Sequence, residues 1–337
     1  MIASVQFRHF KALRATSVRL GAFNLFIGPN GSGKTTLVQA VLRLRTLSRA
    51  PGPPPATPAA AAPRRNESPE IVFHFTPPDD DIEVRLSCRS EMVCDLLQVR
   101  HPDTADARRR WDALRAQLGG IRAYLLDHYA MGEPVARAES GELASNGRNL
   151  AAVLAAMRAD QPAVFARLEA EFRRILPDYS AIETREVGAG NVDLGVRLAD
   201  GGELVTAENV SEGALHALAI LTLSFAPRPP PVLCLEEADR GVHPRLLREV
   251  RDALYRLSYP ASFGESRAPV QIVATTHSPF LLDLFRDHPE EIIIAHKRGR
   301  SATFERLSDR PDVKEILAEG SLGDIWFSGI LGGVPEE

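Results

Sequence analysis

Gly28-Pro29-Asn30-Gly31-Ser32-Gly33-Lys34-Thr35, directly after the apolar run Leu25-Phe26-Ile27, constrains this chain more than any other segment. The spacing is G-x-x-x-x-G-K-T. Glycines at 28, 31 and 33 admit backbone conformations closed to residues with a Cβ, so successive N–H groups can converge on phosphate oxygens. A helix predicted from Lys34 adds its positive N-terminal end. Asn30, Gly31, Ser32, Gly33, Lys34, Thr35 and Thr36 then line a phosphate site. Lys34 reaches the β- and γ-phosphates, and the Thr35 hydroxyl is a ligand for Mg²⁺.

Two distant segments repeat the same geometry. Val232-Leu233-Cys234-Leu235 is an apolar strand that ends in Glu236 and Glu237, and Gln271–Ala274 is a strand followed by Thr275-Thr276-His277-Ser278-Pro279. All three functional clusters lie just past the C-terminal end of a predicted strand, where an open α/β sheet places its ligand crevice. Only four of the 40 basic residues are lysine (Lys11, Lys34, Lys297 and Lys314). A lysine at 34 in so arginine-rich a chain points to a need for a compact ammonium there. These residues predict binding and hydrolysis of a nucleoside triphosphate.

A chain of 337 residues suggests two domains or one enlarged α/β domain, and 44% apolar with 25% charged residues is ordinary for a water-soluble protein. The net charge of −4 gives no global attraction to nucleic acid or anionic membrane, so such contacts need a local basic patch. Cys88, Cys94 and Cys234 read as neither a disulfide framework nor a metal set, which fits a reducing cytoplasm. The N-terminus lacks a signal peptide's apolar core, and no run of about 20 apolar residues predicts a membrane span.

The pattern predicts strands at 2–7, 17–20 and 24–27, a helix over 34–45, and strands at 71–75 and 82–87. A Pro- and Ala-rich insertion occupies 50–66, with a solvated Arg64-Arg65 pair. Helices are predicted at 106–118, 121–129, 150–159 and 163–176, with no strand-like run among them, so 101–180 reads as a helical lobe between two core parts, 1–100 and 181–337. Ser211 is a natural N-cap for an apolar helix over 215–225. Arg108-Arg109-Arg110 and the arginines of the helix after Pro244 read chiefly as solvated faces, with nucleic acid as the rival reading.

Taken together, these motifs resemble the SMC/RecF-type branch of the ABC ATPases, the bacterial stand-alone ATPases described as RecF-like or AAA-type. Phe7-Arg8-His9-Phe10-Lys11 looks like the family's N-terminal F-x-x-F-[KR]. Leu143 to Ala151 is similar to its G-x-N-L-A stretch, and Leu235 to Pro244 follows E-E-P-E-x-G-[LV]-H-P. Val210-Ser211-Glu212-Gly213-Ala214 occupies the signature position. Here the signature reads S-E-G where transporters have S-G-G, and Ala238 replaces the usual proline. Gln98 and Glu91 are the candidates for the Q-loop.

The resemblance implies an α/β fold, an ABC-type P-loop core with a mixed sheet and an inserted helical lobe, with ATP and Mg²⁺ as ligands. It implies that Glu236 holds the Mg²⁺ shell, Glu237 activates water, and His277 contacts the γ-phosphate. Ser211 and Gly213 face the phosphates of a second copy across an ATP-sandwich dimer. The expected role is to gate a separate effector protein or a DNA transaction, in genome maintenance and repair or in antiviral defence, with no membrane partner. A transporter's nucleotide-binding subunit and a non-hydrolysing scaffold are the alternatives. The 58 residues after Pro279 are too few for a Toprim nuclease domain plus remaining core strands.

Overall fold

Alternating apolar and polar residues build the first strand pair, and the computed structural model describes residues 1–50 and 68–332. Of the low-complexity stretch, residues 51–66, including Arg64 and Arg65, lie outside the described residues. In chain order, β1 (Ile2–Phe10), β2 (Leu13–Arg19) and β3 (Phe23–Ile27) lead into α1 (Lys34–Arg49). There follow β4 (Glu70–Phe75), β5 (Glu83–Cys88), β6 (Cys94–Arg100), α2 (Ala105–Leu118), β7 (Arg122–Tyr124), α3 (His128–Gly132) and β8 (Val135–Ala136). Next come α4 (Leu150–Asp160), α5 (Pro162–Ile175), β9 (Tyr179–Val187), β10 (Asn191–Leu198), β11 (Leu204–Thr206) and α6 (Glu212–Phe225). The remainder is β12 (Val232–Leu235), α7 (Leu247–Ser258), β13 (Gln271–Thr275), α8 (Pro279–Asp283), β14 (Ile292–Arg298), β15 (Ser301–Arg306), α9 (Val313–Glu319) and α10 (Leu322–Phe327).

The chain divides into two compact units. The first holds residues 1–122, 230–234 and 269–337, and the second holds 123–229 and 235–268. The division passes through β7 after Arg122 and through β12 after Cys234.

The first unit contains a sheet of order β2-β1-β4-β5-β6, antiparallel throughout, and strands of a second sheet of order β15-β14-β3-β13-β12-β7. β3 runs parallel to both β13 and β14, and all five of its residues are buried. A strand buried on both faces reads as a continuous apolar run, as Phe23-Asn-Leu-Phe-Ile nearly does. The exception, Asn24, is satisfied: its amide donates to the carbonyls of Gly21 and Ile272, both at 2.9 Å, and its oxygen accepts from Gly21 N–H at 2.8 Å. α1 covers the sheet with Leu37, Val38, Val41 and Leu44.

In the second unit, β10 pairs with β8, β9 and β11. α5 buries Phe165, Leu168, Phe172 and Ile175 from one stripe, and α7 buries Leu247, Val250, Leu254 and Leu257. α6 is buried from Gly213 to Phe225, which explains its almost wholly apolar sequence.

Three expectations need correction. The helix expected over 121–129 is absent, replaced by strand Arg122–Tyr124 and the short helix His128–Gly132. A short apolar run has no periodicity to separate strand from helix, and sheet pairing decides it. With β7 and β8 present, the expectation of no strand-like run between 102 and 176 also fails. Cys88 and Cys94, read as unpaired, are bonded to each other, because the turn between β5 and β6 places them in register. The strand Tyr179–Val187 went unpredicted: its exposed positions are Ser180, Arg185 and Glu186, and its pairing with β10 is what selects it. Among the described residues no helix is long and apolar enough to cross a membrane.

Gln271 joins the two sheets of the first unit. Its Oε1 accepts from Ile2 N–H at 2.9 Å, and its Nε2 donates to the carbonyls of Ile2 and Gly21 at 2.8 and 2.9 Å. Replacement by Met leaves buried backbone groups without partners, so Gln271→Met should destabilise by about 3 kcal/mol. Thermal denaturation checks this, and an unchanged Tm would show that the bridge carries no stability.

Candidate nucleotide site

The phosphate loop is shaped by what a Cβ would strike. Gly28 has φ 138° and Gly33 has φ 94°. A Cβ on Gly28 would lie 2.3 Å from the carbonyl oxygen of Ala295 in β14, and one on Gly33 would lie 2.7 Å from a methyl of Leu13. The loop therefore sits directly against the neighbouring strand, a closeness that only glycine permits. Lys34, the first residue of α1, is buried, and its ammonium donates to the carbonyls of Gly28 and Pro29 at 2.6 and 3.0 Å. That curls the loop around the lysine. The Ser32 hydroxyl is buried with no hydrogen-bond partner, and α1 has no side-chain N-cap. An orphaned donor, a buried ammonium and an uncapped helix N-terminus all fit an anionic ligand, and they fit polyphosphate best. Asn30, Gly31 and Thr35 are exposed at the loop's rim, and Thr36 is half-buried.

The His277 segment lies beside this loop in the same unit. β13 pairs Thr275 with Phe26, and Thr276 N–H donates to the Phe26 carbonyl at 3.1 Å, one strand residue before the loop begins. Thr276 Oγ1 accepts from Ser278 N–H at 2.9 Å, and Ser278 caps α8 through Leu281 N–H. These bonds fix the backbone on both sides of His277, whose side chain is exposed. Lys297 escaped the sequence reading. It lies near the end of β14, and its Nζ lies 3.3 Å from where a Cβ on Gly31 would be, so a second ammonium stands at the loop. Its rarity in this chain was the only available signal.

Glu236, Glu237, Ser211 and Gly213 belong to the second unit, whereas Gln98 and Glu91 belong to the first. Glu236 N–H donates to the Tyr124 carbonyl at 2.9 Å, and the carboxylate follows the buried β12 immediately. Glu237 has φ 53°, in the left-handed region that residues with a Cβ rarely adopt. Such a backbone is held only where its surroundings over-determine it, and it aims the exposed side chain. Ser211 caps α6, its hydroxyl accepting from Ala214 N–H at 3.3 Å. A Cβ on Gly213 would lie 2.5 Å from the Gly241 carbonyl oxygen, so this glycine permits contact with the turn that follows the carboxylates. Gln98 is on β6 and Glu91 in the turn before it, both exposed.

His216 lies in α6 one turn beyond Gly213. It is 1% exposed and its Nε2 has no partner. Burial pushes the imidazole down to about 4, against a hydrogen bond to the Ala238 backbone that favours its charged form. The folded chain thus keeps His216 neutral, while the unfolded chain binds a proton below about pH 6.5. Stability should fall as pH drops from 6.5 toward 4, by about 2 kcal/mol between pH 7 and pH 5 from this group alone. Urea denaturation at both values, compared with His216→Met, checks this: the variant should lose that part of the slope, and an equal slope would assign it elsewhere.

The family described as "AAA domain, putative AbiEii toxin, Type IV TA system" matches residues 95–283, more than half of the chain. No curated protein matches the chain by sequence. An SMC head bound to the C-winged helix domain of ScpA superposes with a TM-score of 0.60 at 14% identity, over 90% of this chain and 96% of that one. The SMC head domain from Thermotoga maritima gives a TM-score of 0.50 at 12% identity, over 90% and 98%. The recombination mediator protein RecF gives 0.44 at 10% identity, over 90% and 98%. With its phosphate loop following a strand that runs parallel to both its neighbours, the chain belongs to this AAA domain family and has the fold of an SMC head domain.

Proposed function

We propose that this chain is a Mg²⁺-dependent ATPase that closes on ATP as a head-to-tail dimer and thereby controls a separate effector protein. The observation that carries the reading is the phosphate loop itself, with its buried Lys34 ammonium, its unpartnered Ser32 hydroxyl and an uncapped helix behind it. A site for an inert scaffold needs no strained carboxylate, and the left-handed backbone of Glu237 favours the hydrolytic reading.

Thr35 and Glu236 would hold Mg²⁺, directly and through water, and the ion supplies charge neutralisation and a template for the phosphates. Lys34 and the loop N–H groups bind the β- and γ-phosphates. Glu237 accepts a proton from water as the water oxygen bonds to the γ-phosphorus, and the bond from that phosphorus to the β–γ bridging oxygen breaks. ADP and phosphate result. His277 contacts the γ-phosphate and registers its loss. Ser211 and Gly213 supply the α6 N-terminus to the nucleotide of the second copy, where an anion is favoured.

The SMC head that superposes on this chain is bound to a winged-helix domain, and the matching family's description names a toxin system. Both support a protein partner, in defence or in genome maintenance. DNA is less favoured as the ligand of Arg108, Arg109 and Arg110, because each guanidinium is already engaged by aspartate. Arg108 meets Asp103, Arg109 meets Asp106 at 3.1 Å, and Arg110 meets Asp81 at 2.6 Å. The Arg110 hydrogen bond holds the Asp81 carboxyl below its ordinary value, and the same guanidinium also meets Asp106 at 3.1 Å.

Lys34→Ala should abolish tight ATP binding by calorimetry, while Glu237→Gln should bind ATP, stop turning over and sediment as an ATP-dependent dimer. Retention of wild-type hydrolysis by Glu237→Gln would move the general base elsewhere. Mixing Lys34→Ala with Ser211→Arg chains should restore part of the turnover, because one composite site escapes both changes. Failure of any mixture to exceed the separate variants would count against the sandwich.

A further inference from the structure

The signature of this chain carries Glu212 where transporters carry glycine, and the structure gives that carboxylate a partner. Glu212 Oε1 lies 3.1 Å from Arg240 Nε. The same guanidinium places Nη1 3.7 Å from Oε2 of Glu237. One cation thus stands between a carboxylate of the signature segment and the carboxylate read above as the general base.

The backbone holds this arrangement in place. Arg240 N–H donates to the Glu237 carbonyl at 2.9 Å, closing a turn that starts from the left-handed Glu237. Gly241, at φ 65°, leaves the space into which the Glu212 side chain fits, since a Cβ there would lie 2.5 Å from its Cγ. Gly213 presses on the same turn from the α6 side. The N-terminus of α6 and the Glu237–Gly241 turn therefore meet through two glycines, with the Glu212–Arg240 pair beside them. The side chains of Glu212, Arg240 and Glu237 are 40%, 39% and 50% exposed. Ion pairs so open to water contribute little to stability. Fixing a carboxylate's orientation, by contrast, matters greatly to a proton acceptor, because small misplacements cost large factors in rate.

We propose that Arg240 is a positioning residue: held by Glu212, it orients the Glu237 carboxylate and so couples the signature segment to the hydrolytic step. The inference rests on the ATPase reading above. It accounts for the S-E-G signature, since glycine at 212 would leave Arg240 without its anchor. It also places the coupling within one chain rather than across the dimer.

Steady-state ATP hydrolysis by the full chain tests it. Arg240→Ala should lower kcat about tenfold while KM for ATP stays within about twofold, and Arg240→Lys should recover part of the loss. Glu212→Gln should lower kcat about threefold, and the double variant should be no slower than Arg240→Ala alone, since both act through one bridge. An unchanged kcat in Arg240→Ala would overturn the proposal. So would fully multiplicative losses in the double variant. A tenfold rise in KM at constant kcat would make Arg240 a phosphate contact, which also overturns it. Glu237→Gln is measured alongside: if it is inactive while Arg240→Ala is normal, only the positioning role fails. If Glu237→Gln turns over normally, the hydrolytic reading fails and the positioning role with it.

Discussion

The close approach of the phosphate loop to β14 is the constraint on which the first unit turns. Gly28 lies so near the Ala295 carbonyl that any side chain at 28 would have to displace a buried strand. β14 cannot yield, because it runs parallel to β3, while β15 pairs along its other edge. Phe304 of β15 packs edge-on against Phe26 of β3, with ring centres 5.5 Å apart. On the opposite edge, Asn24 fastens β3 to β13 through the Ile272 carbonyl. The loop therefore inherits its geometry from the sheet rather than from its own sequence alone. Its amides can be fixed before ligand arrives, which reduces the ordering that phosphate binding must impose.

A comparable logic governs the second unit, although no nucleotide loop lies there. α6 is buried along nearly its whole length, so its N-terminus has little freedom to move without disturbing a core of Leu215, Leu218 and Leu221. Ser211 caps that end and Gly213 brings it against the turn after β12. His216, buried and neutral, is hydrogen-bonded to the backbone of Ala238 in the same turn. Here Ala238 is buried, and the turn is shaped by neighbours rather than by a proline ring. The N-terminus of α6 and the acidic turn are thus packed as one piece.

Identity to the superposed SMC heads is 14% and 12%, yet coverage reaches nine-tenths of this chain. A likeness so distant in sequence is one of fold alone, and a fold by itself does not fix chemistry. Arginine supplies nearly all the cations of this chain, many of them satisfied within it, as Arg174 is by Glu171 and Glu249 and Arg310 by Asp312. Fixed planar guanidinium pairs of this kind shape a surface without committing it to a ligand.

By itself the sequence determined what local chemistry can express. The phosphate loop, the strand before it, the helix after it and the Ser211 cap were legible because each depends on residues within a turn or two of one another. Strand Arg122–Tyr124 was not legible, since three residues hold no period and only pairing within a sheet makes them a strand. Nor was β9, whose exposed charged positions resemble a solvated loop until β10 lies beside it. The Cys88–Cys94 bond, the approach of Lys297 to Gly31 and the sharing of Arg240 between Glu212 and Glu237 were decided by tertiary structure alone. Each depends on a distance in space that no local pattern states. Packing sets that distance, and packing is a property of the whole unit rather than of any segment.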